Sequence, residues 1–468
     1  MKIIIVGDGK VGFTLAQHLF LEHHDVTIID TSDDALKRAA DALDVLCIKG
    51  NGASFAALKA AGVATCDILI AATSADEMNM VCCLTARKLG AKYTIARVRN
   101  VEYAAELAAM KDELGIDMVI NPENATAVEI SRLLRFPSAA NIETFAKGRV
   151  ELIGFLCQES DFIVGKPISK LSPQLQGLPM LFCAVERDGA VFIPDGSSVL
   201  AAGDKVYVIG VPLGLHQFFA LLGRFSQKIR QVFIVGGGRI AHYLTVIAEK
   251  LGMQVKIVEL DADRCRHLAE VLPHTLIING DGTEQELLES ENLHGCDAFI
   301  ALTGRDEDNL IVSLYAMQQG ISKVIAKCNR QNYAGIARSV GLESVISPKM
   351  ITANQILQVV RGMENSKGSV MTALYKIAGG KAEALEFVAC DTTCHLGVPL
   401  RSLPLKESVL VAIIIHQNAI IIPQGSSVIA AGDTVIIITQ EAGILDLNDI
   451  YEDAAPHSPV TLIEPAEG

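Results

Sequence analysis

The chain has no apolar run long enough to cross a bilayer; the longest, such as Val409 to Ile415 and Val435 to Ile438, fall far short of the ~20 residues that a spanning helix needs. A helical span is excluded, although 50% of the residues are hydrophobic and the mean hydropathy is +0.34. No basic segment followed by an apolar one opens the chain, since Met1-Lys2 runs straight into a strand and a glycine loop. Secretion is therefore not expected, and the cytoplasm is the default. Positive charge is also scarce: 40 Lys and Arg against 54 Asp and Glu give a net charge of −14, which repels nucleic acid and anionic lipid. Any membrane attachment needs a protein partner. The 11 cysteines are odd in number and irregularly spaced, which fits a reducing compartment and no disulfide framework. Cys390, Cys394 and His395 have ligand-like spacing, but two further ligands at zinc-ribbon spacing are missing, so a loop with buried thiols is expected and no metal site.

Groups for chemistry are missing as well. A hydride-transfer enzyme needs a proton donor or base beside a substrate pocket. Only His18, His23 and His24 fall near the first glycine loop, and their helical or helix-end positions predict surface exposure. The strand-rich regions offer no paired catalytic groups and no nucleophile elbow. A sensor is expected, not an enzyme.

What is there is present twice. Ile3-Ile4-Ile5-Val6-Gly7-Asp8-Gly9-Lys10-Val11-Gly12 returns 229 positions later as Val232-Phe233-Ile234-Val235-Gly236-Gly237-Gly238-Arg239-Ile240-Ala241. Asp30 returns as Glu259, Gly50-Asn51-Gly52-Ala53 as Gly280-Asp281-Gly282-Thr283, and Ala201-Ala202-Gly203-Asp204 as Ala430-Ala431-Gly432-Asp433. Length alone predicts roughly three domains, but the tandem duplication divides the chain into four. The fold class is α/β, with two Rossmann-like parallel-sheet lobes, each followed by a small α+β lobe. In the first half, strands are expected at Lys2 to Gly7, Asp25 to Ile29, Val45 to Ile48, Ile68 to Ala72, Thr94 to Val98 and Met118 to Ile120, in β-α-β order. A helix from Ala125 to Leu134 should stop at Phe136-Pro137 and act as a hinge. From about Glu143 to Gly210 the period changes to two, as it does again from Val370 to about Asp446, with a helix from Thr352 to Val360 before it. The tail from Tyr451 onward is acidic and expected to be disordered.

Dinucleotide binding needs glycine for a tight turn, for close approach to pyrophosphate and for helix-on-sheet packing, and Gly7, Gly9 and Gly12 supply all three. The following helix, starting with Lys10 and Val11, offers its free N–H groups to phosphate. Asp30, 18 residues after Gly12, can accept hydrogen bonds from ribose hydroxyls. The second copy supplies Gly236, Gly237, Gly238, Arg239 and Ile240, with Glu259 as the carboxylate, and its ligand can differ. Asp8 puts a negative charge near the expected pyrophosphate; it either points outward or weakens affinity, with Lys10 compensating in part. Thr31-Ser32 and Leu260-Asp261 offer no arginine for a 2′-phosphate, so NAD(H) is expected over NADP(H). Thr73, Ser74 and Thr303 stand where a strand gives way to a helix; Thr73 and Thr303 can cap it, with Asp76 and Asp306 at N3, or touch the ligand, or both. Arg97, Arg99 and Lys327 end the fifth strand, either facing a phosphate or simply solvated. Asn51 and Asp281 border the same cleft.

The loop Gly7 to Gly12 with Asp30, the blocks Thr73 to Asn79, Ile95 to Asn100 and Pro194 to Ser197, the Phe136-Pro137 hinge, and their second-half counterparts together resemble the tandem regulator-of-potassium-conductance family of Trk-type uptake systems. The resemblance covers almost the whole chain. It implies nucleotide-binding lobes at 1–124 and 230–350, each followed by a C-terminal lobe, at 143–226 and 370–450. It further implies a cytoplasmic regulator, peripheral on the inner face of the plasma membrane, that docks on a TrkH- or TrkG-type membrane potassium transporter. It implies a homo-oligomeric ring, a tetramer of tandem chains, whose shape is biased by NAD(H), ATP or ADP. The alternatives are an NAD-dependent oxidoreductase with an unrecognised catalytic centre, or a nucleotide-binding scaffold unrelated to ion transport.

Overall fold

The computed structural model describes residues 1–452 apart from 101–102, 104–112, 136–140, 172–174, 176, 224–228, 343, 365–368 and 442. Two compact units form, and neither is one half of the repeat. One holds Met1–Glu143, Ile153–Leu156 and Phe219–Val360; the other holds Thr144–Leu152, Cys157–Phe218 and the chain from Arg361. Like parts of the two halves are thus gathered into the same unit.

In the first unit each lobe carries a six-stranded parallel sheet. Lobe one runs β1 (Lys2–Val6), α1 (Lys10–Leu21), β2 (Asp25–Asp30), α2 (Asp33–Ala42), β3 (Leu46–Lys49), α3 (Phe55–Ala60), β4 (Ile68–Ala71), α4 (Asp76–Leu89), β5 (Tyr93–Arg97), β6 (Met118–Ile120) and α5 (Pro122–Arg135). The strand order is β3-β2-β1-β4-β5-β6. Ile3, Ile4, Ile5 and Val6 are all buried, as expected for a strand covered by helices on both faces. The order reverses between β1 and β4, and a crevice opens there beyond the strand ends, where α/β sheets bind ligands.

Helix α5 begins at Pro122, three residues before the expected Ala125, because proline costs nothing in the first turn and Asn121 Oδ1 accepts the Asn124 N–H at 2.8 Å. The expected stop and hinge at Phe136-Pro137 lie outside the described residues. After α6 (Pro212–Leu221), lobe two repeats the pattern as β7 (Gln231–Val235), α7 (Arg239–Lys250), β8 (Gln254–Glu259), α8 (Ala262–Val271), β9 (Leu276–Asn279), α9 (Gln285–Ser290), β10 (Ala298–Ala301), α10 (Asp306–Gln318), β11 (Lys323–Lys327), α11 (Gln331–Ser339), β12 (Ser344–Ile346) and α12 (Pro348–Glu364). The last helix is longer than the expected Thr352 to Val360. Helix α5 packs against α7, and Asn121 Nδ2 donates to the Tyr243 hydroxyl at 2.8 Å. The helix leaving one lobe therefore rests on the helix that starts at the other lobe's glycine loop.

In the second unit two five-stranded antiparallel sheets share one core, with Phe145, Val150, Tyr207 and Ile209 from one and Ala373, Ile377, Ile413 and Ile436 from the other. Tyr207 Oη accepts the Ala378 N–H at 3.0 Å, and Tyr375 Oη donates to the Thr144 carbonyl at 2.9 Å. Three expectations fail in detail. Tyr451 does not begin a disordered tail: it is 1% exposed and bridges Leu405, while residues 453–468 lie outside the described residues. The Cys390–Cys394 loop does not bury its thiols, since Cys390 is half-buried and Cys394 exposed. His24 is buried, with Nδ1 3.3 Å from the N-terminal nitrogen, because the turn into β2 folds it inward. Among the described residues no helix is long and apolar enough to cross a membrane, and no group of three His, Cys, Asp or Glu side chains could hold a metal.

Candidate nucleotide site

The site is set by how closely α1 approaches the end of β1. Gly7 has φ +98°, a left-handed conformation that favours glycine, and a Cβ there would stand 2.9 Å from the Thr73 nitrogen. A Cβ on Gly12 would stand 1.8 Å from the Gly7 carbonyl oxygen. That is the third glycine's expected packing role. Gly9, an exposed residue, caps α1 without a side chain, leaving its first N–H groups toward the crevice. Val11 is buried, and Lys10 is exposed. In lobe two Gly236 repeats φ +98°, Gly238 caps α7, Ile240 is buried and Arg239 exposed.

The carboxylates are held by backbone amides. Asp30 accepts the Asp8 N–H at 2.6 Å and the Ser32 N–H at 2.8 Å; Glu259 accepts the Gly237 N–H at 2.7 Å and the Asp261 N–H at 2.9 Å. Each therefore stands oriented at its strand end, with lone pairs left for a diol. Asp8 does not point outward. It is 3% exposed, and burial, with Asp30 adding to it, pushes its carboxyl up to about 6 against the pull of Arg38. The cation beside it is thus Arg38 on α2, whereas Lys10 faces the other lobe.

The capping expectation is corrected. α4 starts at Asp76 with Ala75 as its N-cap, and α10 at Asp306 with Arg305, neither with a side-chain cap. Asp76 instead reaches across to the strand end after β5, where Oδ2 accepts the N–H groups of Arg99 and Asn100 at 2.8 Å; Asp306 Oδ2 takes those of Asn329 and Arg330. The residue that sequence reasoning missed is Asn79. Wholly buried, its Oδ1 accepts the Thr73 N–H at 2.8 Å and hydroxyl at 2.7 Å, and its Nδ2 donates to the carbonyls of Arg97 at 2.8 Å and Thr73 at 3.3 Å. Asn309 repeats three of these bonds, accepting the Thr303 N–H and donating to the carbonyls of Thr303 and Lys327. The available signal was its recurrence in both copies of the block.

Arg97 and Lys327 are not simply solvated. The Arg97 side chain is 17% exposed, with Nη2 3.7 Å from Glu123; burial lowers its pKa despite that partner. Lys327 Nζ donates to the Leu302 carbonyl at 3.2 Å, and burial pushes it down against the pull of Asp306. Ser74 and Asn51 are exposed, and Asn51 Oδ1 accepts the Ala53 N–H; Asp281 is engaged with Thr283, whose hydroxyl and N–H lower its pKa. A cleft of about 630 Å³ opens in the second lobe, lined by Gly304, Arg305, Asp306, Glu307, Asn329, Arg330 and Lys349, with Lys10 reaching in from the first. Four cations thus meet two carboxylates there.

Residues 3–122 and 232–348 match the family model of the TrkA-N domain, and residues 157–223 and 395–451 match that of the TrkA-C domain. Trk system potassium uptake protein TrkA homolog 2 of Methanosarcina mazei is 34% identical over 97% of this chain and 100% of its own. Trk system potassium uptake protein TrkA of Halomonas elongata is 32% identical over 97% of this chain and 99% of its own. Among solved structures, the GsuK RCK domain has a TM-score of 0.62 at 18% identity, covering 93% of this chain and 92% of that one. The GsuK channel bound to NAD gives the same TM-score and identity, over 94% and 76%; at such identity the likeness speaks for the fold. With both domain types in tandem and such relatives along nearly its whole length, the chain belongs to the TrkA family of Trk system potassium uptake proteins.

Proposed function

We propose that this chain is a nucleotide-sensing regulatory subunit of a Trk-type potassium uptake transporter, binding NAD(H) at its glycine loops and catalysing no reaction. The observation that carries the reading is the duplicated loop, closed by a Cβ-free approach of helix to strand and backed by a carboxylate fixed on two backbone amides. In lobe one, Gly7, Gly9 and Gly12 take the pyrophosphate and Asp30 the ribose, with Asn51, Thr73, Ser74 and Arg97 around the crevice. In lobe two, Gly236, Gly237, Gly238, Arg239 and Ile240 with Glu259, Asp281, Thr303 and Lys327 take the equivalent roles. ATP or ADP suits the second lobe, whose cleft offers Lys10, Arg305, Arg330 and Lys349, where the repeat gives the first lobe Arg239, Ala75, Asn100 and Glu123.

Signal transmission needs a ligand that favours one conformation over another. Nucleotide at the second glycine loop bears on α7, and α7 carries α5, the helix by which the chain leaves the first lobe. A ring of four such chains, held in the cytoplasm on a TrkH- or TrkG-type membrane subunit, would pass that shift to the pore. Calorimetric titration of the full chain tests the binding step. NADH should bind, NADPH at least tenfold more weakly given two carboxylates and no arginine for a 2′-phosphate; no binding of NADH or ATP would overturn the reading. Turnover of NADH absorbance with a soluble metabolite would favour the oxidoreductase instead.

A further inference from the structure

The two glycine loops differ at their second position, and the difference extends to the helix behind. In lobe two a Cβ at Gly237 would stand 2.5 Å from Leu268 Cδ1 on α8 and 3.1 Å from Glu259 Oε2. In lobe one the residue at the Leu268 position is the smaller Ala39, which leaves room behind the loop for a side chain at position 8, and Asp8 there is buried. Asp8 is 3% exposed, and neither of its oxygens has a hydrogen-bond partner.

The groups facing Asp8 come from three elements. Asp30 on β2 repels its charge, Arg38 on α2 attracts it, and Cys47 on β3 is a thiol that burial, and then Asp8, push up. One cation against a carboxylate leaves no surplus to hold a second buried anion. A nucleotide bound at this loop brings its pyrophosphate against the same backbone. Its charge and that of Asp8 oppose each other in a poorly solvated place, whereas a protonated Asp8 adds no charge and offers an O–H donor.

Resting on the nucleotide reading above, we propose that Asp8 makes binding in the first lobe proton-linked: the lobe takes up its dinucleotide together with one proton on the Asp8 carboxyl, and the second lobe does not. The direction agrees with a carboxyl already raised to about 6. If only the protonated form binds, affinity falls by about 50-fold between pH 6 and pH 8. The first lobe would then report nucleotide and cytoplasmic acidity jointly.

The test is calorimetric titration of the full chain with NAD at pH 6 and pH 8, repeated near pH 7 in two buffers of different ionisation heat to count protons. Wild type, Asp8→Asn and Asp8→Gly are compared, the last carrying the residue that the second lobe uses. One class of site in the wild type should weaken about 50-fold with proton uptake, and that dependence should vanish in both variants. Equal affinity at both pH values in the wild type, or an unchanged pH slope in the variants, overturns the proposal. No NAD binding by any of the three proteins at either pH overturns the dinucleotide reading of the first lobe, and this proposal with it.

Discussion

Replacing Asn79 by Ala should loosen the floor of the first crevice more than any surface change in the same block. The side chain is wholly buried and makes four hydrogen bonds, at 2.8, 2.7, 2.8 and 3.3 Å, tying the end of β4 to the end of β5. Each contributes about 1 kcal/mol net, and the Thr73 N–H and Arg97 carbonyl are left inside without a partner, so a loss of about 3–5 kcal/mol follows. Asn309→Ala, with three such bonds, should lose about 1 kcal/mol less. Because several lobes share the chain, a single unfolding free energy is a poor readout. Amide hydrogen exchange is a better one: the Thr73 amide should exchange at least a hundredfold faster in Asn79→Ala, while the Thr303 amide keeps its wild-type rate. An unchanged Thr73 rate would refute the role given to Asn79. Ser74→Ala, on an exposed side chain, serves as the control.

Gly12→Ala should cost more than about 2 kcal/mol in thermal denaturation, since its Cβ would overlap the Gly7 carbonyl oxygen at 1.8 Å, whereas Ala241→Gly should cost only about 1 kcal/mol of helix propensity. Arg361→Ala should destabilise the strand-rich unit by about 3–5 kcal/mol, because it strands the buried Glu383 carboxylate that now accepts bonds of 3.0 and 3.1 Å; a loss under 1 kcal/mol would show the pair to be dispensable. The Asp8 carboxyl, raised from 3.8 to about 6, favours folding fully below pH 3.8, and that contribution is lost as pH rises through 6. Asp8→Asn should therefore match the wild type in stability below pH 3.8 and exceed it increasingly up to about pH 6 to 7, where the difference levels off at about 1–2 kcal/mol after allowing for screening at the loop mouth. A difference that does not grow with pH would contradict the burial of that charge.

The parallel lobes and their glycine loops were legible because one stretch of about ten residues fixes strand, turn and helix start locally, and the duplication printed it twice. What escaped depends on packing between distant segments. Asn79 acts through the Arg97 carbonyl, 18 residues on, and nothing local marks it as more than a helical polar residue. The capping expectation failed because the Thr73 hydroxyl turns to the Ala75 carbonyl and Asn79, so that α4 begins two residues later. The direction of Asp8 follows from Ala39 standing where the second lobe has Leu268, and the destination of Lys10 follows from the meeting of two lobes. Tyr451 looked like the start of a tail, yet the strand-rich unit buries its ring beside His395, 4.6 Å away between centroids.

The most direct test of the regulatory account is potassium flux into liposomes holding a Trk-type membrane subunit and this chain, with NADH or ATP titrated from the cytoplasmic side. The account predicts that nucleotide changes flux, and that Gly12→Val, which closes the first loop, removes the NADH response while the chain stays bound to the transporter. Flux indifferent to both nucleotides, in a complex shown to bind them, would contradict it.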